Sequence, residues 1–311
     1  MAFSNGEYIK KFILPALVHT LQNLQQDFLA VIPNAPKAAL NSSGINVHKV
    51  GNPISVDWDK MDAYVDGDRK TFDVENNTIP WQYFSTTPSM TDSEEIRTSA
   101  LNRGGILKQK HGEAIVVSWV EKNIHALAPD DDTDPQFNPV FETTGPDRGD
   151  GSGTRRMLLT DVIKAMLPYQ KMNLTKMGEL YMILSPEHLN DLCLDALGQQ
   201  AFRDIFIKTM SGEPVPHHGW KFFINNASVK YAVDGTKKAI GAAAVGTDRV
   251  ASTIFYAPHA IKAIYNVKQH YTSMEEDTRN NPPIDELRFT GNATVGKLYE
   301  IGFGAIKDGN V

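Results

Sequence analysis

The chain has 311 residues, 41% of them hydrophobic, which is enough for one large domain or two ordinary ones and excludes a disordered polymer. A formal net charge of −6 argues against a protein that grips nucleic acid through its phosphates, because counterion release needs clustered Lys and Arg. The single cysteine, Cys193, excludes an internal disulfide and a thiolate metal cluster, fits a reducing compartment, and reads within LNDLCLDAL as a buried small residue.

In chain order, residues 7–31 place Leu14, Leu17, Leu21, Leu24 and Phe28 at helical spacing with Gln22, Gln25 and Gln26 between them. This predicts an amphipathic helix in need of a surface. FILPALVH is a short apolar run broken by Pro15, so it reads as neither a secretion signal nor a membrane span, and no other stretch approaches the length of a span. IPNAPKAALNSSGINVHKVGNP, with Pro33, Pro36 and Pro53, predicts an extended arm that follows a surface. Beyond it, ISVDWD alternates Ile54, Val56 and Trp58, DGD at 66–68 can turn the chain, and TIPWQYF alternates Ile79, Trp81 and Tyr83. The pattern predicts a long hairpin whose strands need a covering layer, since two isolated strands are marginal in water.

Thr91 to Glu94 form a T-x-x-E capping box that predicts the start of a long helix, with a bend at Gly104 and Gly105. Leu107, Ile115, Val116, Trp119, Val120, Ile124 and Leu127 give that helix an apolar face, and Pro129 ends it. Residues 129–157, rich in Asp, Thr, Gly and Pro, predict a long mobile loop. From Thr160, expected to cap the next helix, short helices and strands alternate through TDVIKAML, ELYMILS, SPEHLNDLCLDAL and GWKFFINN to the late strands STIFYA and YEIGFGAI. Their irregular order predicts an α+β fold, not a doubly wound sheet.

No stretch carries a complete catalytic or binding signature. In GPDRGDGSGTRRMLLTDVIKAML the glycines run Gly149, Gly151, Gly153 and are followed by Thr154, Arg155 and Arg156. A phosphate loop needs a preceding strand and a Lys-Ser or Lys-Thr pair, and a dinucleotide fold needs a different glycine spacing. Asp130, Asp132 and Asp134 imitate a calcium loop, but Pro135 stands where Gly is required and Phe141 where the bidentate Glu belongs. Ser185, His188 and Asp191 imitate a triad, yet Ser185 followed by Pro186 and Glu187 is a helix start. His217 and His218 are adjacent and lack the spacing of a helical metal pair, which places them in a turn before Gly219. No catalytic, cofactor-binding or metal-binding residue is assigned, and the chain reads as no enzyme.

An arm, an unsupported hairpin, a long helix and no site describe a subunit completed by its neighbours. This order resembles the major capsid proteins of tailed bacteriophages, with the Hong Kong 97-type fold. The residues that carry the resemblance are the arm, the spine TDSEEIRTSALNRGGILKQKHGEAIVVSWVEKNIHALAP, the segment TGPDRGDGSGTRRMLLTDVIKAML, and YMILSPEHLNDL, HHGWKFFINN, STIFYAPHAIKAIYN and YEIGFGAIKDG. The glycine segment resembles the loop and helix that follow the spine, especially among capsid proteins of phages that infect Bacteroidetes. The resemblance implies an N-terminal arm over 1–48 and an extended loop over 49–90. It further implies a peripheral domain with the spine helix over 91–157, an axial domain over 158–250, and peripheral strands with a closing segment over 251–311. It implies pentamers and hexamers that form an icosahedral head shell around double-stranded DNA in the virion, assembled in the bacterial cytoplasm, with no cofactor and no membrane. A separate scaffold, a portal and minor head proteins are the implied partners. No motif singles out a crosslinking partner for Lys60 or Lys70 of the loop.

Trp58, Trp81 and Tyr83 are the candidate aromatic anchors between subunits, although the same rings could anchor the loop within their own chain. Arg148, Arg155 and Arg156 are candidate partners for a neighbour's carboxylates. The rival readings are an encapsulin-like compartment of the same fold and, from another class, a soluble hydrolase.

Overall fold

The computed structural model describes residues 27–50, 74–92, 103–174, 179–197, 216–217, 219–243, 245–272, 276–277 and 284–311. The strands are β1 (Gly44–Val50), β2 (Val74–Pro80), β3 (Gln82–Ser85), β4 (Ser89–Asp92), β5 (Val140–Glu142), β6 (Leu180–Leu184), β7 (Pro216–His217), β8 (Trp220–Ile224), β9 (Val229–Tyr231), β10 (Arg249–Tyr256), β11 (Ala260–Thr272), β12 (Ile284–Lys297) and β13 (Phe303–Lys307). The α-helices are α1 (Arg103–Leu127), α2 (Leu159–Lys171) and α3 (Pro186–Leu197).

The larger sheet runs β5-β13-β10-β6-β8-β7 with β9 beside β10, and mixes parallel pairs (β5 with β13, β6 with β8) with antiparallel ones. Its β6, LYMIL, is apolar at every position because both faces of the sheet are covered. On one face Leu180, Met182, Trp220, Phe222, Ile254 and Ile306 pack against Val162, Ala165, Met166 and Tyr169 of α2 and Leu192 of α3. On the other face Tyr181, Ile183, Phe223, Phe255 and Phe303 meet Trp119, Val120, Ile124 and Leu127 of α1 and Phe28, Leu29 and Ile32 of the arm. Aromatic rings step across this second face. Phe223 stacks on Tyr181 and Tyr181 on Phe255, each at 5.4 Å, and Phe28 meets Phe255 edge-on at 6.2 Å. Each such pair adds about 0.5–1.5 kcal/mol beyond the area it buries.

A second sheet, β11-β12-β3 with β4 also on β12, supports α1 through Ile115, Leu287 and Phe289. β1 and β2 pair antiparallel from Gly44 opposite Pro80 to Val50 opposite Val74, so the partner of the strand expected at TIPWQYF comes from the stretch read as an extended arm. ISVDWD, DGD and Trp58 lie outside the described residues. Around them the arm does follow a surface: Ala35 N–H donates to the Lys262 carbonyl (2.8 Å) and Lys262 N–H to the Pro33 carbonyl (3.0 Å) along β11. Of the helix expected over 7–31, only Asp27–Val31 is described, as a 3-10 turn.

Several expectations change. Thr91 and Asp92 are strand residues of β4, opposite Asp285 and Ile284, and not the cap of a helix. The exposed edge of β12 offers them backbone partners, and residues 93–102 lie outside the described ones. Gly104 and Gly105 fall in the first turn of α1, which then continues to Leu127, so they do not interrupt the helix. The helix spans about 37 Å at 1.5 Å per residue. In TIPWQYF the alternation does not persist: Phe84 turns toward the core while Tyr83 is 65% exposed. Trp81 sits between β2 and β3, where the chain changes sheets and the phase is reset.

Thr160 is the second residue of α2 and not its cap. The cap position is Leu158, and Asp161 in the first turn reaches back to accept from the N–H groups of Leu158 (3.0 Å) and Thr144 (3.1 Å). The expected divisions at 157/158 and 250/251 do not follow the sheets either, because β5, β10 and β13 join β6 and β8 in one sheet. Covering both edges of the fully buried β6 requires a strand from late in the chain.

Candidate assembly surface

The glycine segment is a small hairpin. Gly145 N–H donates to the Arg156 carbonyl (3.0 Å), Arg156 N–H to Pro146 (2.9 Å) and Arg148 N–H to Thr154 (2.9 Å). At its tip Gly149, Gly151 and Gly153 have φ of +76°, +80° and +65° with open space around each, so the backbone conformation and not room demands glycine. Residues 129–157 are thus tied by β5 and by this hairpin, where a free loop was expected.

Beneath the hairpin lies a buried polar clamp. Arg148 turns inward, and its Nη2 donates to Asp191 (2.8 Å) and to Asp308 (2.7 Å). His188 is fully buried, with Nε2 at 3.0 Å from Asp308 Oδ1 and Nδ1 at 2.7 Å from Ser252 Oγ. The Asp308 carboxylate can only accept, so the ring's Nε2–H donates to it, and in the neutral ring Nδ1 then accepts from the Ser252 hydroxyl, whose oxygen accepts from Ser185 N–H (3.1 Å). Burial alone would raise the Asp308 pKa, but hydrogen bonds from His188 and Arg148 outweigh it and hold the carboxyl below the usual range. Burial likewise opposes the Arg148 charge, and the two carboxylates more than offset it.

The arrangement has the residue types of a hydrolytic triad without its function. Ser252 and His188 are fully buried, so no substrate reaches the hydroxyl. Ser185 caps α3 by accepting from His188 N–H (3.2 Å), and Asp191 receives Arg148 and Met157 N–H (3.1 Å), so the triad suggested by spacing does not form. Ser252 and Asp308 were missed because they stand 64 and 120 residues from His188. Only β10 and β13, adjacent in the sheet, bring them together.

The other acidic and basic candidates also serve the fold. Asp130 pairs with Lys237 (2.6 Å) and Asp132 with Lys307 (3.1 Å). Lys237 also donates to the carbonyls of His125 and Ala128 at the C-terminus of α1, where a cation opposes the helix dipole. Among the described residues no cluster of His, Cys, Asp and Glu could hold a metal ion. His217 ends β7 and Gly219, with φ +86°, turns the chain into β8, while His218 lies outside the described residues.

The six candidate contact residues are dispersed. Trp81 is held within its own chain, stacked on Tyr265 at 5.3 Å and donating from Nε1 to the Asn41 carbonyl (2.8 Å). Arg148 is internal, and Arg156 donates to the Arg148 carbonyl (3.0 Å). Arg155 lies at the surface beside the C-terminal residues, donating from Nε to the Asn310 carbonyl (2.7 Å). Tyr83 projects outward at the rim of a groove of about 660 Å³ between α1 and the β3–β4 segment. Within that groove Ser89 Oγ meets His111 Nε2 at 2.8 Å, and burial lowers the His111 pKa.

No protein-family model matches the sequence, and no curated protein matches it. The structure is similar to a chain of the bacteriophage PhiM1 mature capsid, with a TM-score of 0.58 at 12% identity over 91% of this chain and 87% of that one. It is similar to the capsid of Ralstonia phage GP4 with a TM-score of 0.60 at 11% identity over 90% and 87%. The fold is the Hong Kong 97 type. The structure is also similar to a virus-like particle from Pyrococcus furiosus, with a TM-score of 0.52 at 11% identity over 96% of this chain and 99% of that one.

Proposed function

We propose that this protein is the major capsid protein of a tailed bacteriophage, a structural subunit that forms pentamers and hexamers and then the icosahedral shell around double-stranded DNA. The observation that carries this reading is the similarity to phage capsid chains over about nine-tenths of both partners, with no large part of either left over. A subunit with many neighbours needs only weak contacts, on the order of −4 kcal/mol each, for a stable closed shell that still corrects errors during assembly. Tyr83 and Arg155 are the surface groups best placed for such contacts. Trp58 of the extended loop is a further candidate. Scaffold, portal and minor head proteins are the partners this role entails, with the virion as destination.

The similarity to the Pyrococcus furiosus particle supports a second reading, a compartment that encloses protein cargo. Electron microscopy of the purified protein separates these readings from an enzyme. Uniform shells tens of nanometres wide with nuclease-protected DNA are expected. Shells filled with protein would favour the compartment, and a persistent monomer would overturn both.

A further inference from the structure

The second sheet packs on α1 and leaves the groove of about 660 Å³ beside its last strand. That strand, β3, pairs with β12 alone. Thr86 N–H donates to the Phe289 carbonyl (2.9 Å), and in an antiparallel ladder this phase turns the backbone groups of Phe84 toward β12 and those of Tyr83 and Ser85 away from it. Among the described residues, the outward N–H and C=O groups of Tyr83 and Ser85 have no hydrogen-bond partner. Residues 82–89 line the groove in unbroken succession. The face of a strand would contribute every second residue, so the groove runs along the open edge of this segment.

The opposite wall is one face of α1. Ala114, Ser118 and Ala126 are small and leave depth for side chains that enter beside Ile115 and Trp119. Asn123, 3% exposed, also lines the groove; its Nδ2 donates to the Trp119 carbonyl, while its buried Oδ1 has no partner and awaits a donor. Among the described residues the lining holds Lys110 and Lys122 and no Asp or Glu. Lys110 has only an exposed pair with Glu113, which contributes little, and Lys122 has no ion pair among the described residues. In a chain of net charge −6 the groove is a local basic site.

We propose that an extended acidic segment of a different protein adds to the open edge of β3 as a further strand, with apolar side chains beside Ile115 and Trp119 and carboxylates at Lys110 and Lys122. The open backbone groups recognise a strand, the groove selects apolar residues at alternate positions, and the lysines select acid. Lys110 and Lys122 stand about 18 Å apart along the helix axis, the length of roughly five to six strand residues. A second copy of this chain is a poorer fit. Its acid-rich stretch at 130–134 is held by the pairs Asp130 with Lys237 and Asp132 with Lys307, and its described strands are paired within their own sheets. The surface belongs to a single subunit, so it is tested apart from shell formation.

The probe is a short fluorescent peptide that alternates Glu and Val, titrated by anisotropy into the full chain kept unassembled. Saturable binding is expected, weakened at least about tenfold by Lys110→Glu with Lys122→Glu, and the same double variant should now prefer a Lys-Val peptide. Methylating the peptide's backbone nitrogens at alternate residues keeps every side chain, and in a paired strand only one of the two alternations should abolish binding. Ser85→Pro removes an N–H that faces away from β12, so binding should weaken about tenfold with thermal unfolding unchanged. Equal binding of the Glu-Val and Lys-Val peptides by the wild-type chain, indifference to both methylation patterns, or no binding up to millimolar peptide would each overturn the proposal. Self-association of the chain that Lys110→Glu with Lys122→Glu abolishes would assign the groove to a second copy and overturn it as well.

Discussion

Asp308 lies where the glycine hairpin, α3 and the chain following β13 meet, and it accepts from both Arg148 and His188. Asp308→Asn keeps the volume and removes the charge, which leaves Arg148 with Asp191 alone. Loss of one partner from a buried ion pair costs about 3 kcal/mol or more, so a clear drop in the unfolding midpoint of the capsomer is expected at neutral pH. The pH dependence follows from the depressed carboxyl. Its contribution is fully present above the unfolded carboxylate range near pH 4 and is lost as pH falls through the folded pKa. Urea unfolding from pH 6 downward should therefore bring wild type and Asp308→Asn together, and a gap that widens with acid would contradict the clamp. Little of this clamp was legible in the sequence. Ser185 was read correctly as a cap because capping is local, whereas the partners of His188 come from two distant strands.

At the scale of elements, β13 shows why a glycine can be required for room and another for conformation. A Cβ at Gly304 would lie 2.0 Å from Tyr169 Oη and 2.8 Å from the Pro139 carbonyl, so β13 fits between α2 and the chain leading into β5 only without a side chain. Gly304→Ala should destabilise by about 1–3 kcal/mol through overpacking. Adding Tyr169→Phe, which removes Oη, should restore part of that loss in a double-mutant cycle, and strict additivity would show that Tyr169 is not the obstacle. Gly151→Ala has open space and meets only the left-handed backbone, so thermal unfolding should report a smaller cost of about 1 kcal/mol. The apolar face of α1 was legible because apolar residues recur at spacings of three and four from Ile115 to Leu127. The T-x-x-E pattern at Thr91 misled because four residues satisfy a cap or a strand equally well, and the open edge of β12 decided for the strand.

For the whole molecule, a small loss per contact is multiplied around a shell. Tyr83 is exposed at the groove rim, and the Arg155 side chain lies at the surface, donating to the Asn310 carbonyl, so neither change should disturb the subunit. Tyr83→Ser and Arg155→Glu are each expected to leave subunit melting within about 0.5 kcal/mol of wild type. Counted by electron microscopy and sedimentation, shell yield should nevertheless fall about tenfold, since roughly 1.4 kcal/mol per contact is a factor of ten before multiplication. Normal yields from both variants would remove these residues from the proposed interface. Arg156→Glu is a poorer test because that side chain helps hold the hairpin through the Arg148 carbonyl.

Periodicity and prolines by themselves determined that this chain has a segment that follows a surface, a long amphipathic helix and a later α+β region, and the order of the predicted elements was enough to suggest a shell subunit. Such signals act over a few residues, where spacing and backbone preference are written in the letters. Only the tertiary structure decided that β5, β10 and β13 complete the sheet of β6, that His188 meets Ser252 and Asp308, and that Trp81 is held by its own chain while Tyr83 is not. Those outcomes depend on which distant segments bury one another's surfaces, and a burial partner more than sixty residues away leaves no local mark in the sequence.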